Sequence, residues 1–209
     1  MILVGFGCSF TYGSELESPD IDPNDRRAFN RHRESHVWLG LLSKRFGYSF
    51  DNRAEPANSN YAIAQQVTEY VRVNAEHYRE FVVCIAWSAH PRFSWYDNKW
   101  THNGFADNDW ALSAREWLTR STDASHNMFT TNAKLIVNSV CAYHNVKLLQ
   151  FNALGDHKSE PYSNYFCNGT TMADSLNPEH FASGGHPNEL GHEVWTNNLA
   201  EWITSKGLL

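Results

Sequence analysis

Three short stretches of the 209-residue chain carry side chains whose type and setting suit chemistry. The first is Gly7-Cys8-Ser9-Phe10-Thr11-Tyr12-Gly13. It follows the apolar run Ile2 to Phe6, which reads as a buried strand, so Ser9 is presented just past a strand end between glycines. Glycine lets the backbone approach a substrate closely, and a hydroxyl held there is a nucleophile once a base takes its proton. The second stretch is Gly184-Gly185-His186-Pro187-Asn188-Glu189-Leu190-Gly191-His192. His186 stands in a glycine-rich turn ahead of a helix that Pro187 is expected to open, which would leave the imidazole exposed and fixed from behind. The third is aromatic: Trp87, Trp95, Trp100, Trp110 and Trp117 are five of the eight tryptophans in the chain. Indoles in such a cluster pack inward as a cap, stack on a glycan, or dock a protein partner, and the sequence leaves the three open.

Other chemistries find no support in the sequence. His180, His186 and His192 are spaced by six, which is not a helical ligand spacing. Cys8, Cys84, Cys141 and Cys167 are scattered and form no C-x-x-C pair, so neither a disulfide framework nor a zinc signature is present. There is no Walker loop and no G-x-G-x-x-G. No cofactor and no metal are therefore expected. Seventeen basic against 23 acidic residues give a net charge of −6, which argues against a general nucleic-acid binder. Arg26, Arg27, Arg31 and Arg33 read as a solvated basic loop. No basic leader precedes the first apolar run, and no run approaches the ~18–20 residues that span a bilayer. A soluble protein with no signal peptide and no membrane partner is expected, cytoplasmic or virion-associated.

The elements that must hold these residues alternate in type. Besides Ile2 to Phe6, strands are expected at Tyr48 to Asn52, Phe81 to Trp87 and Val146 to Phe151; the third is apolar throughout, as a strand covered on both faces must be. Between them lie a short helix from Val37 to Phe46 closed by Gly47, a helix capped by Asn58 or Ser59, and a long helix ending at Tyr143. The long helix is expected to turn Phe129, Ile136, Val140 and Tyr143 to the core. The last helix should bury Leu190, Val194, Leu199 and Ile203. Strands separated by helices pair in parallel through crossovers, which predicts an α/β fold, a three-layer α/β/α sandwich with a central parallel sheet of flavodoxin-like type. A single domain spanning 1–209 is expected, with an aromatic-rich insertion or cap at about 88–121. In such sheets ligands bind beyond the carboxyl ends of the strands, where Ser9 lies.

Taken together, the two terminal blocks resemble those of the SGNH, or GDSL-type, hydrolase superfamily. Gly7-Cys8-Ser9 through Gly13 is similar to its nucleophile block, and His186-Pro187 to its final block. The resemblance implies a Ser9 nucleophile, a His186 base and hydrolysis of a small acyl ester, acetyl-like, on an acylated glycan or another small ester. It also implies an oxyanion site at Ala57, within Asn52-Arg53-Ala54-Glu55-Pro56-Ala57-Asn58-Ser59-Asn60, and at Ser88, after Ala86-Trp87. In the family these positions are glycine and asparagine. Cys8 replaces the block aspartate, and Ser183 stands where the family carries the acid that orients the histidine. Ser183 itself, Asp156, Asp174 or Glu179 are the candidates for that role, alongside a dyad held by a backbone carbonyl. The Gly-Cys-Ser variant resembles versions from tailed phages and surface-polysaccharide clusters. The alternative reading is accordingly a virion or surface assembly component with a degenerate SGNH fold.

Overall fold

The computed structural model describes residues 1–18, 20–22, 24–76, 80–90, 92, 94–96, 100–102, 122–155, 162–166 and 169–209. Strands β1 (Ile2–Gly7), β2 (Ser49–Asn52), β3 (Phe81–Trp87) and the later Lys147–Asn152 form one all-parallel sheet in the order β2, β1, β3, Lys147–Asn152. Between and beyond them come α1 (Ser9–Tyr12), α2 (Arg26–His36), α3 (Trp38–Phe46), α4 (Asn60–Asn74), α5 (Asp123–Tyr143) and α6 (Glu189–Lys206). Two short strands, β4 (Ser94–Tyr96) and β5 (Trp100–His102), pair antiparallel in the tryptophan-rich stretch, which makes Lys147–Asn152 β6. The rest of that stretch, with Trp110 and Trp117 and most of the cap expected at about 88–121, lies outside the described residues.

The strands alternate between two cores, because successive side chains point to opposite faces. Leu3, Val82, Cys84, Ala86, Leu149 and Phe151 pack with α3 and α6, whereas Val4, Phe6, Val83, Ile85, Trp87 and Leu148 pack with α4 and α5. That is the predicted three-layer α/β/α arrangement. Beyond β6 the sheet continues by one parallel bridge, Gln150 with Tyr165.

Local signals set the boundaries of the helices. Ser59 caps α4 by accepting the Ala62 amide, and Gly47 ends α3 at φ 70°. Four expectations need correction. Residues 26–36 are helical, begun by Asp25, which accepts from the amides of Arg27 and Ala28. Arg33 is buried there, 3.6 Å from the Tyr12 ring centroid, so the arginines are not a uniformly solvated loop. In α5 the buried side chains are His126, Thr130, Ala133, Lys134, Val137 and Cys141, while Phe129 and Tyr143 face outward. In α6 Leu190 is exposed, and His192, Trp195, Leu199 and Ile203 are buried. Pro187 does not open α6: Asn188 is its cap, accepting the Gly191 amide, and Pro187 bridges to Phe181.

Candidate active site

The register of the sheet brings three loops together at its carboxyl edge. Gly7 of β1 pairs with Ala86 of β3, so Ser9 and Ser88 leave neighbouring strands two residues further on. On the other side Gly5 pairs with Asn52, the Glu55 amide donates to the Gly7 carbonyl (3.3 Å), and Ala57 follows two residues later. Asn52 ties this loop to α1 by donating its amide to the Thr11 carbonyl at 2.8 Å. Ser9 is the first residue of α1, so its own amide has no intrahelical acceptor.

His186 reaches the same region from the far end of the chain. Its turn is held by the Ala182 amide on the His186 carbonyl (2.8 Å), the Gly185 amide on the Ala182 carbonyl (3.0 Å) and the Asn188 amide on the His180 carbonyl (2.9 Å). The ring packs edge-on against Phe10, the residue after Ser9, with centroids 5.9 Å apart. Its Nδ1 lies 2.6 Å from Oε2 of Glu15. The same carboxylate accepts the backbone amides of Gly184 (2.8 Å) and His186 (3.1 Å).

Glu15 is the acid that sequence reading missed. The side-chain bond from His186 holds its carboxyl below the ordinary carboxylate value; burial opposes this, and the Gly184 and His186 amides add to it. An ionised Glu15 can only accept, so the proton of a neutral His186 sits on Nδ1 and Nε2 keeps its lone pair. Gly184 must be glycine for this approach: a Cβ there would fall 2.5–2.6 Å from the Glu15 carboxylate. The acid on His186 is thus Glu15 rather than Ser183, Asp174 or Glu179, and the histidine is not left to a backbone carbonyl. Ser183 and Glu179 are exposed, and Asp174 takes the Thr171 hydroxyl at 2.6 Å. Asp156 lies outside the described residues.

The two oxyanion candidates differ in state. Ala57 has φ 61°, the left-handed region where glycine is at ease and alanine is strained. Ser88 is buried, with its amide on Asn60 Oδ1 (2.7 Å) and its Oγ without a hydrogen-bond partner among the described residues. Neighbouring asparagine amides are committed elsewhere. Asn60 Nδ2 donates to the Ser88 carbonyl (3.0 Å) and Thr130 Oγ1 (3.1 Å), and Asn58 Nδ2 to Gln66 Oε1 (2.8 Å) and the Gly7 carbonyl (3.4 Å). Cys8 is a buried free thiol beside Ser9.

No family model matches the chain, and no curated protein matches it. Solved structures do. A protein described as TesA aligns over 100% of both chains at 12% identity with a TM-score of 0.57. A GDSL-like lipase from Bacteroides thetaiotaomicron aligns over 98% of this chain and 88% of its own at 12% identity, TM-score 0.50. The acetyl xylan esterase Est2A from Butyrivibrio proteoclasticus gives 0.60 at 9% identity, covering 100% of this chain and 65% of that one. The chain has the SGNH hydrolase fold. At these identities the likeness extends to the fold, and the chemistry of the site rests on its own residues. Among the described residues no helix is long and apolar enough to cross a membrane.

Proposed function

We propose that the protein hydrolyses small acyl esters by nucleophilic catalysis, with Ser9 as nucleophile, His186 as base and Glu15 as the group that positions the base. Ser9 Oγ attacks the ester carbonyl carbon while His186 Nε2 takes the hydroxyl proton. The same proton is returned to the departing alcohol oxygen as the carbon–oxygen bond breaks. Water then attacks the acyl-serine, giving its proton to Nε2, and the acid is released with Ser9 restored. The Ser9 and Ala57 amides and the Ser88 hydroxyl are assigned to the oxyanion, Ser88 because its buried Oγ has no other partner among the described residues.

The observation that carries this reading is the 2.6 Å contact between His186 and Glu15. It supplies the charge whose absence from position 183 had favoured a degenerate assembly component. Without such an acid, an Asp-His-Ser site loses about 10⁴ in kcat. A glycan ester fits as substrate class. A surface groove of about 790 Å³ runs beside Arg53 and Glu55, just before Ala57, lined also by Tyr61, Gln66 and Tyr70. Neither Ser9 nor His186 lines it; its assignment to the alcohol side of the substrate rests on Arg53 and Glu55, which lead into Ala57. The exposed Tyr61 ring beside the Gln66 amide and charged groups suits a sugar.

A fluorophosphonate probe tests the nucleophile and base together. It should modify Ser9 alone, read by intact mass and peptide mapping, and His186→Ala should abolish the adduct. Labelling that survives His186→Ala would remove the histidine from its role.

A further inference from the structure

Helix α2 and the first residue of α6 bring together a second set of polar side chains that the hydrolytic reading does not use. His32 and His36 are one helical turn apart on α2, and their ring centroids lie 4.2 Å apart. Glu189 comes from the other helix. One ligand atom from each of the three lies within 4.8 Å of the others.

The hydrogen bonds around His36 fix its tautomer. The Ser35 hydroxyl donates to the His32 carbonyl at 2.8 Å, so toward His36 it can only accept. Nδ1 of His36 meets that hydroxyl oxygen at 3.0 Å and the His32 carbonyl at 2.8 Å, both acceptors. The proton is therefore on Nδ1, and Nε2 keeps its lone pair. A metal-bound histidine shows this same pattern, with its other ring nitrogen donating to a backbone carbonyl. His32 shows a different sign. Glu189 Oε1 lies 2.9 Å from its Nε2, yet the pair is poorly aligned and the buried Nε2 makes no hydrogen bond among the described residues. A close carboxylate that is off the hydrogen-bonding direction leaves room for a third atom to bind both.

We propose that His32, His36 and Glu189 form a binding site for one divalent transition ion of the Zn²⁺ class. Two imidazoles and a carboxylate are the donor set such an ion takes, and oxygen-seeking Mg²⁺ or Ca²⁺ would not favour it. Glu189 is half exposed, so water can fill the fourth position. The ion ties α2 to the start of α6, three residues after His186, and fixes the turn that carries the base.

The test uses untagged full-length protein freed of metal by chelation and then titrated with Zn²⁺ by calorimetry, with Co²⁺ as a spectroscopic probe. The wild type is expected to bind one equivalent of Zn²⁺, to melt at a higher temperature with it, and to give visible Co²⁺ absorption bands. His36→Ala and Glu189→Gln should each weaken Zn²⁺ by at least about tenfold and remove the Co²⁺ bands. Glu189→Gln keeps the length of the side chain, so its far-UV circular dichroism should match the wild type, which excludes unfolding as the cause. Absence of one-equivalent binding in the wild type would overturn the proposal, as would binding that neither variant weakens, because the ion would then sit elsewhere.

Discussion

Two residues at the site hold left-handed backbone without being glycine: Glu15 at φ 65° and Ala57 at φ 61°. Such a conformation costs a residue with a Cβ about 1–2 kcal/mol, and it persists where the surroundings over-determine it. At Glu15 the compensation is visible, since the turn aims one carboxylate at three donors from the His186 loop. At Ala57 the Cβ itself has no evident use, so Ala57→Gly should raise stability by about 1 kcal/mol and keep the amide and the rate. Thermal melts should show it as a Tm rise of about 2–4 °C; a fall would mean the methyl packs usefully. Gly184→Ala should do the opposite to function, because its Cβ would displace the Glu15 carboxylate. It should lower kcat at least about tenfold with little change in the far-UV spectrum. Ser9 and His186 were singled out because each sits in a glycine-rich turn beside a strand end or helix start, and because the two blocks together resemble those of the SGNH superfamily. Glu15 was not: it precedes its partner by 171 positions, and no local pattern marks it. The family habit of placing the acid just before the histidine pointed to position 183, where only an exposed serine stands.

At the level of elements, the buried face of α6 sets the behaviour of the protein in acid. His192 is fully enclosed there, its Nδ1 accepting the Trp38 amide at 3.3 Å. Burial, aided by the nearby His186 charge, pushes it down to about 3 from an ordinary 6.5. The folded state therefore refuses a proton that the unfolded chain accepts below about pH 6.5. The contribution of His192 to stability is full above that value and falls by about 1.4 kcal/mol per pH unit toward pH 3. Denaturant melts from pH 7 to pH 4 should show His192→Asn less stable than wild type at pH 7, with the gap closing as pH falls. A gap that stays constant would exclude His192 as the source. The sequence showed where α5 and α6 run and put Leu199 and Ile203 of α6 on the buried side, but it misplaced other positions. Three large apolar residues, Phe129, Tyr143 and Leu190, stand on the solvent side, while His126, Lys134 and His192 are buried. Helix α2 was hidden for a related reason. Its arginines read as a loop, and the His32–His36 spacing within it acquires meaning only once Glu189 is folded against it.

For the whole molecule, the architecture was the most legible part. Uniformly apolar runs such as Phe81–Trp87 can survive only between two layers of helices, and the helical crossovers between strands then give parallel pairing. That sheet is what makes a site from residues scattered between positions 9 and 186: β1 lies between β2 and β3, so the loops after all three converge. The central claim is that this convergence forms a working esterase whose base is charged and oriented by Glu15. Steady-state hydrolysis of a chromogenic acetyl ester by wild type, Ser9→Ala and Glu15→Gln tests it most directly. The expected result is turnover by the wild type, background rates for Ser9→Ala, and a kcat about 10²–10⁴ lower for Glu15→Gln, which keeps the shape but loses the charge. Equal rates for wild type and Ser9→Ala would contradict the account.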